Sequence, residues 1–268
     1  MRTSRSGPWS RRGGSGPNCS SDRPFVGVRR DDPYRYVRLS NETEVSCHAL
    51  VIATGLSVRQ LDVPGVESFT GRGVYYGAAN SEAALYRDQD VCVVGGANSA
   101  GQAALFLARS ARSVTILCRA PQLSAAMSQY LIDRIETTAN IVVKAGVEVA
   151  GATGGDHLER IAVRHADTGA EEAIDAAAMF IFIGVAPRTD MLAHFVCLDD
   201  KGFVITGPDL RGVDRGWRLE RDPYLFETSV PGVFAVGDVR AGASRRVAAA
   251  VGEGSAAIFS VHQYLKTV

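Results

Sequence analysis

The chain has 268 residues, 46% of them hydrophobic, with 29 basic and 29 acidic side chains. That length suits one large domain or two ordinary ones with real cores, and the charge balance leaves no global field to attract nucleic acid or an anionic membrane. The longest apolar run, AAAMFIFIGVA over Ala176–Ala186, falls short of the roughly 20 residues a membrane-spanning helix needs and reads as a buried strand, so a small-molecule partner is expected.

Residues 1–24 are rich in Arg, Ser, Gly and Pro without apolar periodicity, which predicts disorder or an unrelated segment. No apolar stretch follows the Arg11-Arg12 pair, so no export signal is expected. FVGVRRDD, YRYVRLS and ALVIATG, beginning at Phe25, are short β-rich runs separated by turn residues, a meander leading into a buried strand. The glycine-rich stretch from Leu61 to Ala79, with Pro64, reads as a crossing loop between two units.

Val91 to Gly95 predicts a strand, residues 99–110 a helix, and SVTILCRA a second strand. Ala103, Ala104, Leu107 and Ala108 fall on one helical face, and their small size permits close packing on a sheet. MSQYLIDRIET predicts a second amphipathic helix, IVVKAGVEVAGA and LERIAVRHADTG antiparallel strands, and AMFIFIG the closing strand. Beyond Pro187 come FVITGPDL, an Arg-rich loop, the strand VFAVG and a last helix from about Arg245 to Tyr264.

Three segments carry chemistry. Gly95-Gly96-Ala97-Asn98-Ser99-Ala100 joins strand to helix within a βαβ unit, where backbone amides and the helix dipole attract phosphate. Ala97 departs from Gly-x-Gly-x-x-Ala, placing a methyl group where a pyrophosphate approaches backbone. A tight turn with no ligand is the alternative. Arg119 ends the second strand, where arginine accommodates a 2′-phosphate and an acid would read a ribose hydroxyl; this favours NADP over NAD, unless Arg119 is only a solvated strand-end residue. VPGVFAVGDV ends a strand at Gly237-Asp238, and the Asp238 carboxylate can accept a hydrogen bond from a polyol or ribose hydroxyl. The five cysteines form no C-x-x-C, so reduced thiols in a cytoplasmic protein are expected, and no metal site is predicted.

Ala53-Thr54-Gly55, Gly95 to Ala100 and Gly237-Asp238-Val239, in this order, resemble the low-molecular-weight thioredoxin reductase-like flavoproteins, class II pyridine nucleotide-disulfide oxidoreductases. The resemblance covers residues 25–268. It implies an α/β fold of two Rossmann-like three-layer units, an NADPH-binding domain over 77–188 inserted into a truncated FAD-binding domain of 25–75 plus 190–268. It further implies that Thr54, Gly55, Gly237 and Asp238, with Arg246 and Val247 at the start of the last helix, face FAD. Gly95, Gly96, Ala97, Asn98, Ser99 and Ala100 would then cradle the NADPH pyrophosphate, with Arg119 at the 2′-phosphate. Hydride passes from NADPH to flavin in such proteins after the NADPH domain rotates on hinges, here near Tyr75–Gly77 and Pro187–Asp190. The resemblance also admits a homodimer.

Two departures bear on activity. An ungapped match of YRDQDVCVVGG puts the family's redox cysteines on Ala78 and Ser81, so no dithiol chemistry is expected there, and Glu82 reads as a plain hinge residue. Gly13, Gly14 and Gly16 sit in a polar segment and make no second strand, glycine turn and helix for FAD. The chain is then either a truncated member or one that has lost flavin binding, with an outer sheet short of strands and an exposed apolar face. Because hydride transfer between the cofactors needs no protein acid or base, no catalytic side chain is predicted. The reading is an NADPH-dependent flavin oxidoreductase with a non-dithiol or unknown electron acceptor; the alternative is a non-catalytic NADP-binding or regulatory protein.

Overall fold

The computed structural model describes residues 24–77, 80–214 and 216–268. Ala78 and residues 1–23, with the expected disorder and Gly13, Gly14 and Gly16, lie outside the described residues. The chain forms two compact units, one made of Met1–Ser57 with Val185–Val268, the other of Val58–Gly184.

The outer unit opens with the expected meander, β1 (Phe25–Asp31), β2 (Tyr34–Leu39) and β3 (Glu44–Cys47), paired antiparallel in that order. β4 (Leu50–Ile52) follows, then β5 (Leu56–Val58), where the chain passes into the inner unit.

The inner unit begins with β6 (Val74–Tyr76) and the short helix α1 (Asn80–Leu85). The strand β7 (Asp90–Val94), the helix α2 (Asn98–Leu107) and the strand β8 (Ser113–Cys118) make the βαβ unit. Next come α3 (Gln129–Glu136), β9 (Ile141–Ala145), β10 (Val147–Gly154), β11 (Leu158–His165), β12 (Glu171–Asp175) and β13 (Ala178–Ile181). A parallel sheet of order β6-β13-β7-β8-β9 forms the middle layer. Its central strands β7 and β13 are apolar almost throughout, as strands buried on both faces must be. On one face Ala100, Ala104 and Leu107 of α2 pack with Leu131, Ile132 and Ile135 of α3. Alanine on the α2 stripe lets backbone approach the sheet, and each buried Leu or Ile contributes about 2 kcal/mol. On the other face Val147 and Val149 of β10 pack with Ile161 and Val163 of β11, so the third layer is the antiparallel β10-β11-β12 meander.

Sequence reading places the inner boundary too late. Residues 61–76 do not cross between units as a loop: Val66, Phe69 and Val74 are buried in the inner core, and β6 pairs with β13 as an edge strand. IVVKA is not antiparallel either; β9 runs parallel to β8.

The chain returns to the outer unit with β14 (Val185–Pro187), paired to β5, then β15 (Val233–Ala235) and α4 (Val247–Leu265). β15 pairs parallel with β4, and Ile52, Leu192, Val204, Val233 and Ala235 form the core beneath. Among the described residues no further strand joins this two-stranded sheet. FVITGPDL makes only isolated bridges before a 3-10 turn at Gly207–Leu210. Val247, Val251, Ile258 and Phe259 of α4 and Val51 of β4 are exposed, which is the edge and apolar face expected of a sheet short of strands.

Candidate functional site

The inner unit builds its site where β7 gives way to α2. Gly95 has φ of 143°, and a β-carbon there would fall 2.5 Å from the Phe182 carbonyl, so only glycine lets the chain turn between β7 and β13. Its N–H donates to Leu117 O at 2.9 Å, fixing the turn to β8. Gly96 needs no special dihedral; it is excluded from carrying a side chain because Cys118 Sγ occupies the space a β-carbon would take. Ala97 is exposed, in extended backbone that any residue adopts, and is the N-cap of α2. No side chain caps that helix. First-turn amides at such an uncapped start lack carbonyl partners within the helix, the arrangement that suits an anion.

Asn98 does not cap its own helix. Its Oδ1 accepts a hydrogen bond from the Ser128 N–H at 2.8 Å, tying the start of α2 to the start of α3. Ser99 is exposed and Ala100 fully buried beneath Gly95. The structure therefore gathers Gly95, Gly96, Ala97, Asn98, Ser99 and Ala100 into one turn, with the Gly95 N–H on Leu117 O, the Ala100 N–H on Ala97 O, and Asn98 serving as a brace. Arg119, just past β8, has a side chain 84% exposed, and its Nε lies 3.9 Å from Glu148 Oε1 on β10. These features fit a dinucleotide phosphate: an uncapped helix start, glycines that cannot be replaced, and a strand-end cation.

Around α1 the chemistry is sparse. Ser81 donates to Glu82 Oε2 at 2.6 Å, and that bond holds the Glu82 carboxyl below its usual range. Glu82 is thus an ionised, half-buried carboxylate with no proton to give near neutrality. Tyr75 and Tyr86 share a 2.9 Å hydroxyl contact and pack around Phe180. Burial, and then the Tyr75 hydroxyl, push the Tyr86 phenol well above its ordinary value. The buried Cys92 thiol is equally inert: burial pushes it up to about 12. Among the described residues no cluster of side chains could hold a metal ion.

In the outer unit β15 leads through Val236 to Gly237, which has φ of 70° and starts a 3-10 turn over Gly237–Val239. Glu253, a residue the sequence reading missed, reaches back from α4: its carboxylate accepts the Gly237 N–H at 2.7 Å and pairs with Arg240 at 2.5 Å. Burial opposes the charge, but the Arg240 and Gly237 hydrogen bonds prevail and the carboxyl sits below its usual range. A β-carbon on Gly237 would lie 3.3 Å from Ala250 Cβ, so the first turns of α4 pack onto this turn. Asp238 is half-buried and makes no ion pair among the described residues. Arg246, the N-cap of α4, and Val247 are exposed. Thr54 and Gly55 are engaged differently: Thr54 Oγ1 donates to Arg188 O at 2.8 Å, and Gly55 O accepts the Arg188 N–H at 3.1 Å. They lock the chain's exit from β4 against its return.

The outer unit fits only part of a flavin dinucleotide. Gly237, Asp238 and the start of α4 suit a ribityl chain and phosphate, but no second strand, glycine turn and helix stands beside β4 among the described residues.

Residues 22–254 match the family described as pyridine nucleotide-disulphide oxidoreductase. The thioredoxin reductase of Mycolicibacterium smegmatis is 33% identical over 238 residues, covering 89% of this chain and 70% of that protein. The NADPH-dependent thioredoxin reductase 3 of Arabidopsis thaliana is 35% identical, covering 84% of this chain and 40% of that protein. Among solved structures, Lactococcus lactis thioredoxin reductase superposes with a TM-score of 0.70 at 27% identity, over 92% of this chain and 75% of that one.

Proposed function

The chain belongs to the pyridine nucleotide-disulphide oxidoreductase family, on its thioredoxin reductase-like side, and we propose that it is an NADPH-dependent flavin oxidoreductase whose electron acceptor is not a dithiol at residues 78 and 81. The observation that carries this reading is the uncapped start of α2 behind Gly95 and Gly96, with Arg119 at the end of the neighbouring strand. When bound, NADPH supplies a hydride and FAD receives it.

The chain's own residues bind and orient. The amides of residues 96–99 hold the pyrophosphate, the Asn98–Ser128 bond keeps α2 and α3 in register beside it, and Arg119 meets the 2′-phosphate. Asp238 accepts a hydroxyl hydrogen bond, while Glu253 fixes the turn that presents it. No side chain is assigned a proton-transfer role, and Glu82 is already ionised. Because the outer parallel sheet has two strands among the described residues, a second reading is supported: a non-catalytic protein that binds NADP in the inner unit alone.

Purified protein decides between them. Visible flavin absorbance, or uptake of added FAD, together with NADPH binding in a calorimetric titration, is the expected result. Colourless protein that binds NADPH but takes up no FAD would leave only the second reading, and protein that binds neither would overturn both.

A further inference from the structure

We infer that Glu148 is a second nucleotide-reading residue, opposed in charge to Arg119, and that the inner unit accepts NADH as well as NADPH. The inference rests on the nucleotide-binding reading of the inner unit proposed above. Arg119 follows β8, and Glu148 is the second residue of β10. The Gly146 N–H donates to Ala120 O at 2.9 Å, which pins the β9–β10 turn to the end of β8 and brings the two side chains to one rim. Strand alternation does the rest: Val147 and Val149 are buried against the sheet, so Glu148 points outward, 55% exposed, with Oε1 3.9 Å from Arg119 Nε.

The charges available at that rim decide what it can discriminate. From Cys118 to Gln129 the chain carries no basic residue besides Arg119; Lys144, on the next strand, is taken by Glu172 at 2.7 Å, and Arg164, opposite Glu148 across β10 and β11, by Glu171 at 2.7 Å. A 2′-phosphate therefore finds one cation with an anion beside it, and it must both displace Glu148 from Arg119 and tolerate its charge. A ribose 2′-hydroxyl meets the reverse: a carboxylate able to accept its proton in a charge-assisted hydrogen bond, the task an acid performs where NAD is read. Here that acid comes from β10, not from the end of the second strand, which is why reading along β8 finds only the arginine.

The test measures dissociation constants of NADPH and NADH, as bare nucleotides, for the wild type, Glu148→Gln and Arg119→Ala; both substitutions are at exposed positions and leave the fold intact. The wild type should bind the two within about ten-fold of each other. Glu148→Gln should weaken NADH about ten-fold, the size of a lost charged hydrogen bond, and tighten NADPH about two-fold, as expected on removing an exposed opposing charge. Arg119→Ala should weaken NADPH alone. If NADPH binds and Glu148→Gln changes neither constant, the inference is overturned while the nucleotide-binding reading stands. If the wild type binds neither nucleotide, both fall together.

Discussion

Cys118 Sγ sits against the backbone of Gly96, in the space where any side chain on that residue would begin. The strand end and the glycine turn are thus packed through a single sulfur, with Cys118 itself 1% exposed. Gly96→Ala should cost about 2 kcal/mol of stability, the scale of overpacking a close-packed site. Combining it with Cys118→Ala should recover most of that loss, since the second change removes the atom in the way. Denaturant unfolding of the two single variants and the double variant measures the coupling; strictly additive losses would show that the sulfur is not the obstacle.

Ala97 links stability to binding with opposite signs. It is the N-cap of α2, has extended backbone, and offers no oxygen to the first turn. Ala97→Asp should raise stability by about 1 kcal/mol by capping those amides. The same carboxylate occupies the helix start and repels a pyrophosphate, so NADPH affinity should fall at least ten-fold as the melting temperature rises. Improvement in both would mean that the nucleotide lies elsewhere.

The inner βαβ unit is legible in the sequence because its signals are local: an apolar strand, two glycines, and an alanine stripe whose small residues belong only against a sheet. β6 is not legible because Val74–Tyr76 is too short and glycine-flanked to read as a strand; its pairing with β13, a hundred residues later, makes it one. The direction of β9 is hidden for a similar reason, since IVVKA alternates as well parallel as antiparallel. In the site, glycines and Arg119 announce themselves by position in a motif, whereas Glu253 and Glu148 act from elements distant in sequence. Only tertiary packing brings Glu253 to Gly237 and Glu148 to Arg119.

Acid should weaken the inner unit through Asp90 at the start of β7. Its carboxylate accepts from Arg112 Nε at 2.8 Å and Ser113 Oγ at 2.7 Å, and chiefly the Arg112 bond, then that from Ser113, lowers its pKa from the ordinary 3.8 to about 2. A carboxyl depressed by folding stabilises above its unfolded value and loses that stabilisation as pH falls from about 4 toward about 2. Arg112 is 68% exposed, so solvent screening holds the contribution to about 1 kcal/mol or less. Asp90→Asn should flatten that part of the stability profile and leave stability at neutral pH lower by the same small amount. An unaltered acid limb would assign the titration to other carboxylates.

Glu253 separates the two halves of the proposed chemistry. Its side chain is 14% exposed and that of Arg240 17%, and the carboxylate serves both Arg240 and the Gly237 N–H. Glu253→Ala strands a largely buried guanidinium and an amide donor, and breaking such a pair costs about 3 kcal/mol. Glu253→Gln keeps an acceptor for Gly237 but gives up the charge facing Arg240, so its loss should be smaller. The turn loosened in either case is the one that presents Asp238, while the phosphate cradle of α2 belongs to the other compact unit. FAD content or FAD uptake should therefore fall in the order wild type, Glu253→Gln, Glu253→Ala, with the NADPH dissociation constant changed less than two-fold. Flavin absorbance and calorimetry on the same samples read the two quantities separately. Parallel loss of FAD and NADPH binding would show that Glu253 supports the whole fold instead of the Asp238 turn.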